Sequence, residues 1–166
     1  MQNITPFLWF DDKAEEAAEF YVDVFNNRPG GSHAETKVLN VSRYGEGGPG
    51  TPGTAMTASF LLEGLEFTAL NGGPEFAFTE ATSFHVSCGS QDEVDHFWKA
   101  LTDGGEESQC GWLKDRYGLS WQIIPTALHE LLGHPDPARA GRAMKAMLQM
   151  QKIDIAELQR AADEAA

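Results

Sequence analysis

Basic side chains are scarce in this chain: 12 Lys and Arg stand against 25 Asp and Glu, a formal charge of −13. A surface of that sign repels phosphate backbones and anionic lipid, so neither nucleic acid nor membrane is an expected partner. Cysteine is nearly absent. Cys88 and Cys110 are the only two, and no C-x-x-C pair occurs. The expected state is two reduced thiols, with Cys88 inside an apolar run. No apolar run approaches the ~18 residues that span a bilayer. The opening MQNITPFLWF has no basic stretch before its apolar one, so it does not read as a secretory signal. These absences together predict a cytoplasmic protein.

What is present is a pattern that occurs twice. Ile4 to Phe10 is short, apolar and aromatic, a buried strand. Asp11 or Asp12 can cap the helix that follows, in which Ala17, Phe20, Tyr21, Val24 and Phe25 make one apolar face. Glu35 to Tyr44 alternates as a strand, and the Gly/Pro-rich stretch from Gly45 to Gly53 is a loop. Ala55 to Leu62 and Leu65 to Leu70 form two strands about a turn at Glu63-Gly64. The second half runs in the same order. Ser83 to Cys88 is a strand, and Ser90 or Asp92 caps a helix carrying Val94, Phe97, Trp98 and Leu101. Strands follow around Ser108 to Trp112, Trp112 to Asp115 and Leu119 to Ile124.

Laid residue on residue, Thr5-Pro-Phe-Leu-Trp-Phe matches Ser83-Phe-His-Val-Ser-Cys. Phe20-Tyr21 matches Phe97-Trp98, and Gly64-Leu-Glu-Phe matches Gly118-Leu-Ser-Trp. A duplicated βαβββ unit is the main structural signal. The expected fold is therefore α+β, with one module over residues 1–72, a second over 73–126 sharing its core, and a helical tail over 127–166. In the tail, Asp136-Pro137 opens one helix and Asp154 caps another. Met144, Met147, Leu148 and Met150 give it an apolar stripe that must pack on the modules or on another subunit, which predicts a homodimer.

The strings ITPFLWFDDKAEEAAEFY, LNGGPEFAFTEATSF, QDEVDHFWKAL and CGWLKDRYGLSWQIIP resemble the PhnB-like branch of the glyoxalase/bleomycin-resistance (vicinal oxygen chelate) superfamily. Its members are often labelled 3-demethylubiquinone 3-methyltransferases, and a tail like MKAMLQMQKIDIAEL also occurs among them. The resemblance covers almost the whole chain and implies two paired βαβββ modules with cupped sheets. Superfamily members that bind metal hold it in that cup, with His, Glu or Gln from the first and last strands of the modules.

Side chains alternate along a strand, so the repeat gives a register. Leu8, Phe67, Val86 and Trp121 face the helices. The cup face is then Thr5, Phe7, Trp9, Thr68, Leu70, Ser83, His85, Ser87, Gln122 and Ile124. The positions matched to the superfamily's ligands are Thr5, Thr68, Ser83 and Gln122. Hydroxyls and an amide are weak ligands beside imidazole or carboxylate, so no metal and no other cofactor is expected. A slip of one residue would bring Glu66 nearer without completing a ligand set.

His85 is the candidate catalytic residue, a neutral imidazole able to orient or deprotonate a substrate, or simply a hydrogen-bonded strand histidine. His33 and His96 read as surface residues. His129 and His134 would pair on a metal only with a further ligand. Cys110 has no base beside it in the pattern. The expected function is metal-free binding of a small apolar or aromatic molecule in a pocket lined by Thr5, Phe7, Trp9, Thr68, Leu70, Ser83, His85 and Gln122. Two alternatives stand. One is a metal-dependent lyase, isomerase or dioxygenase. The other is the methyltransferase of the family's label, although neither glycine-rich run, Gly45 to Gly53 or Gly72-Gly73, links a strand to a helix as a nucleoside-binding loop does.

Overall fold

A computed structural model describes residues 2–164. It forms two compact units, residues 1–78 and 79–166. Each contains a four-stranded mixed sheet with one helix on it, and the strand order is the same in both.

The first unit runs β1 (Phe7–Phe10), α1 (Ala14–Asn26), β2 (Lys37–Arg43), β3 (Ala55–Leu62) and β4 (Leu65–Asn71), in sheet order β1-β4-β3-β2. β1 pairs parallel with β4, placing Phe7 beside Thr68 and Trp9 beside Leu70. Alternation then puts Leu8, Phe10, Ala58, Phe60, Leu62, Phe67 and Ala69 on one face, and all seven are buried. They meet Ala14, Ala17, Ala18, Tyr21, Val24 and Phe25, which recur at helical spacing along α1. Phe60 lies in the middle of this core. Its ring stacks on Phe67 with centroids 5.4 Å apart and on Tyr21 at 6.2 Å.

Neither Asp11 nor Asp12 caps α1. The helix starts after Lys13 without a cap from its own segment. The orphan N–H of Ala14 instead donates to Asn71 Oδ1 at 2.8 Å, from the end of β4. The same amide donates to the Ala55 carbonyl, and the Tyr44 hydroxyl donates to the Asn71 carbonyl. One side chain thus ties the helix start to two strands.

The second unit runs β5 (Ser83–Cys88), α2 (Gln91–Thr102), β6 (Glu106–Glu107), β7 (Trp112–Lys114), β8 (Ser120–Pro125), α3 (Thr126–Leu132), α4 (Pro137–Met147) and α5 (Ile155–Asp163). Its sheet order, β5-β8-β7-β6, repeats the first. Val86, Cys88, Leu113, Trp121 and Ile123 are buried, as are Val94, Phe97, Trp98 and Leu101 of α2. Ser90 caps α2 as the sequence predicts, its Oγ accepting from Glu93 N.

The strand expected from Ser108 to Trp112 lies earlier, at Glu106–Glu107. Cys110 (φ 58°) and Gly111 (φ 85°) both take the left-handed conformation, which turns the chain rather than extending it. Their N–H groups donate to the carbonyls of Met150 and Gln151. Gly111 is needed for a second reason. A Cβ there would stand 2.7 Å from Ile124 Cδ1 and 2.9 Å from the Ile123 carbonyl oxygen.

The tail closes on its own unit. Asp136 and Asp154 cap α4 and α5 by accepting from Ala138 N and Glu157 N. Leu128, Leu131, Ala143, Ile153, Leu158 and Ala162 bury one core together with Ile124 of β8. Met147 and Met150 pack against that core, while Met144 and Leu148 stay exposed. Ile124, read above as a cup-face residue, therefore lies under the tail.

Candidate functional site

In the first unit, the face turned away from α1 carries Phe7, Trp9, Thr68, Leu70 and, from β3, Thr57 and Ser59. Phe7 is 64% exposed, an unusual position for a large aromatic ring. Trp9 and Leu70 are half-buried. Thr68 is buried, with its Oγ1 3.4 Å from Ser59 Oγ, and its N–H donates to the Pro6 carbonyl. Thr5, just before β1, is half-buried.

Trp9 is held by the LNGGPEF segment. Its indole Nε1 donates to the Gly73 carbonyl at 2.9 Å, and the Phe76 ring meets it edge-on at 5.0 Å. Gly72 passes so close that a Cβ would fall 2.3 Å from the indole, so no other residue fits there. Trp9 and Leu70 line a groove of about 1120 Å³ that continues past Tyr44, Asn71 and Gly72 to the start of α1. Its rim carries Asp11, Asp12 and Glu15, with Arg43 bonded to Glu15 at 2.8 Å.

In the second unit, the face turned away from α2 is polar. Parallel pairing of β5 with β8 sets Ser83 beside Ser120 and His85 beside Gln122, and β7 adds Trp112 beside Gln122. Gln122 Nε2 donates to Ser83 Oγ at 2.9 Å. Ser120 is buried, and its hydroxyl has no hydrogen-bond partner among the described residues. An unsatisfied hydroxyl of this kind is uncommon and calls for a ligand atom or a water.

His85 is exposed, and the His129 ring of α3 lies 5.6 Å from it between centroids. Burial of part of the imidazole, and then the neighbouring His129, hold the His85 pKa below its ordinary value. The ring is therefore a neutral base at pH 7. His134 does not join this pair, because its Nδ1 accepts from Asp136 N. His33 is exposed, and His96 is half-buried with its ring edge-on to Phe97.

The positions matched to the superfamily's metal ligands are thus three hydroxyls and an amide. Two of them, Ser83 and Gln122, are already bonded to each other. That donor set does not fit a transition metal. Among the described residues, no group of three or more His, Cys, Asp or Glu converges as a metal site.

Sequence reasoning did not single out Asn71, Tyr44, Trp112 or the contact of His129 with His85. Only Trp112 left a usable signal, since it falls two residues before Lys114 in an alternating strand. The glycine-rich stretch joins β2 to β3, two strands, and Gly72-Gly73 follows β4 into irregular chain. Neither forms the strand-to-helix turn of a nucleoside-binding loop. No helix among the described residues is long and apolar enough to cross a membrane.

Comparison with known proteins agrees with this geometry. The family described as 3-demethylubiquinone-9 3-methyltransferase matches residues 2–124. A solved PhnB protein of Bacillus cereus, described provisionally as a 3-demethylubiquinone-9 3-methyltransferase, is 36% identical. The match covers 75% of this chain and 99% of that one, with a TM-score of 0.65. A Pseudomonas aeruginosa protein is 18% identical over 75% of this chain and 98% of its own, with a TM-score of 0.59. The fosfomycin resistance protein FosX of Listeria monocytogenes is 15% identical over 80% of this chain and 98% of its own, with a TM-score of 0.53. The last two show a shared fold only. No curated protein matches the chain.

Proposed function

Because the chain belongs to the PhnB-like family described as 3-demethylubiquinone-9 3-methyltransferase, within the glyoxalase/bleomycin-resistance (vicinal oxygen chelate) superfamily, we propose that it binds a small apolar or aromatic molecule on its cup-face residues, with no ion at the four matched positions. The proposed contacts are Thr5, Phe7, Trp9, Thr68 and Leu70 on the face of the first unit and Ser83, His85 and Gln122 on that of the second, each face taken by itself. The observation that carries this reading is the exposure of Phe7 on the sheet face away from α1, beside a Trp9 whose indole N–H donates to the Gly73 carbonyl. Apolar surface of this kind outside the core is a feature of ligand sites. On the face of the second unit, Ser120 and Gln122 offer polar groups to a bound molecule. His85, neutral at pH 7, is the one group here suited to take a proton from a bound molecule.

A homodimer belongs to the same reading, supported by the exposed Met144 and Leu148. So does a cytoplasmic location, supported by the composition. Sedimentation at micromolar concentration should give a dimer.

A thermal-shift screen of apolar aromatic compounds tests the binding. At least one compound should raise the melting temperature saturably, and Phe7→Ser or Trp9→Leu should weaken it about tenfold, the equivalent of one lost buried contact. Hits indifferent to both substitutions would remove the site. The family description favours a second reading, methyl transfer. Calorimetry with S-adenosylmethionine should show no binding, since no glycine-rich strand-to-helix turn is present among the described residues to hold it. Saturable binding with transfer to a quinol would establish that reading instead.

A further inference from the structure

We infer that the groove between the start of α1 and the β2–β3 loop takes the ammonium group of a small organic cation, so that the molecule bound in the first unit is an aromatic or apolar amine. The inference rests on the reading above, to which it adds the chemical class of the ligand. It lies wholly within the first unit and involves none of the positions matched to the superfamily's metal ligands.

Two fixed aromatic rings wall the groove. Trp9 and Tyr44 both line it, and both are anchored to the segment at the end of β4. The Trp9 indole donates to the Gly73 carbonyl at 2.9 Å, and the Tyr44 hydroxyl donates to the Asn71 carbonyl at 2.7 Å. Each ring also has a glycine against it. A Cβ at Gly72 would fall 2.3 Å from Trp9 Cζ2, and one at Gly50 would fall 2.3 Å from Tyr44 Cδ2. The rings are thus held without closing the groove, which keeps a volume of about 1120 Å³. Aromatic rings fixed at a cavity wall attract a cation through the negative charge of their faces.

Charge selects the sign of the ligand. Asp11, Asp12, Glu15, Glu16 and Glu19 line the groove against Lys13 and Arg43, a formal excess of three negative charges. Both cations are already paired, Lys13 with Glu16 at 3.4 Å and Arg43 with Glu15 at 2.8 Å. Asp11, Asp12 and Glu19 form no ion pair among the described residues. Asp11 lies next to the Trp9 wall, because its carbonyl accepts from the N–H of Gly73, whose own carbonyl holds the indole. The one feature that favours an anion is the start of α1, where the helix dipole amounts to about half a positive charge. The Ala14 N–H there is taken up by Asn71 Oδ1, and Glu15 and Glu16 lie in that first turn, so the dipole does not reverse the sign. An amine would pair with the three open carboxylates while its body rests on Trp9 and Leu70.

The competing explanation is that these carboxylates only keep the surface solvated. Calorimetry near neutral pH with tryptamine, tryptophol and indole-3-acetate separates the two, since the three share a ring system and differ in charge. Tryptamine should bind at least about tenfold more tightly than tryptophol, with indole-3-acetate the weakest, and the gap should narrow as NaCl rises from about 20 mM to about 500 mM. Asp12→Asn with Glu19→Gln should remove most of the gap by weakening tryptamine alone. Asp23→Asn, which deletes a carboxylate of α1 outside the groove, should leave it. Asp12 and Glu19 are exposed and neither caps α1, so circular dichroism and melting temperature of their variants should match the parent. Trp9→Leu should weaken tryptamine and tryptophol together. Equal affinities for those two overturn the inference and, where Trp9→Leu still weakens both, leave the aromatic reading standing. Tryptamine binding that survives the Asp12 and Glu19 substitutions also overturns it, as does the absence of saturable tryptamine binding up to millimolar concentration. Binding indifferent to Trp9→Leu removes the aromatic reading and this inference with it.

Discussion

Asp115→Ala should lower the unfolding free energy by about 3 kcal/mol, as charge-assisted hydrogen bonds are lost and buried donors are left unpaired. Asp115 is buried between β7 and β8. Its Oδ1 accepts from the N–H groups of Tyr117 and Leu119, and its Oδ2 accepts from Trp121 Nε1 at 2.9 Å. Backbone bonds between Asp115 and Leu119, and from Gly118 N to the Asp115 carbonyl, close the same turn. The carboxylate therefore joins the turn to the core, and this explains the D-x-x-G-x-x-W spacing within CGWLKDRYGLSWQ. Alanine would strand the Leu119 N–H and the indole N–H in a water-poor interior. Asp115→Asn keeps one acceptor oxygen and should cost less. Urea unfolding followed by circular dichroism measures both. A loss below about 1 kcal/mol for the alanine variant would show that water replaces the carboxylate without penalty.

Phe60→Ala should cost about 3–5 kcal/mol, the range for deleting a buried aromatic side chain and leaving a cavity. Phe60 is fully buried, stacked between Phe67 and Tyr21, and the strands on either side limit collapse into the space. Phe7→Ala, on the opposite face of the same sheet and 64% exposed, should change stability by less than about 0.5 kcal/mol. The contrast is a test of register, because a shift of one residue would exchange the two faces. Equal losses for the two variants would contradict the assignment of Phe7 to a binding surface.

The duplication was legible because each strand-helix-strand unit repeats its apolar alternation and its glycine turns. β3 and β5 begin and end where the sequence places them. The orientation of Phe67 and Trp121 toward the helices also follows from alternation, and the burial of both agrees with it. Features set by distant partners were not legible. The α1 cap comes from Asn71, 57 residues further on, and nothing near Asp11 signals it. The turn at Cys110-Gly111 is fixed by carbonyls of Met150 and Gln151. It displaced a strand that local alternation puts at Ser108 to Trp112. Ile124 reads as a cup-face residue by alternation, yet the tail core covers it. His129 lies over His85 only because α3 starts directly after β8, which residue types alone do not determine.

The chain contains four tryptophans, and they divide evenly between the two kinds of sheet face. Trp98 and Trp121 lie on the helix side, their indoles bonded to Glu107 and Asp115. Trp9 and Trp112 lie on the other side, both half-buried. The most direct measurement is a nitrogen–proton correlation spectrum of the four indole N–H groups, recorded while a hit from the aromatic screen is titrated in. Binding on the cup face of the first unit should move the Trp9 signal and leave those of Trp98 and Trp121 in place. Movement of the Trp98 and Trp121 signals with Trp9 unchanged would put the ligand among the helices and contradict the account.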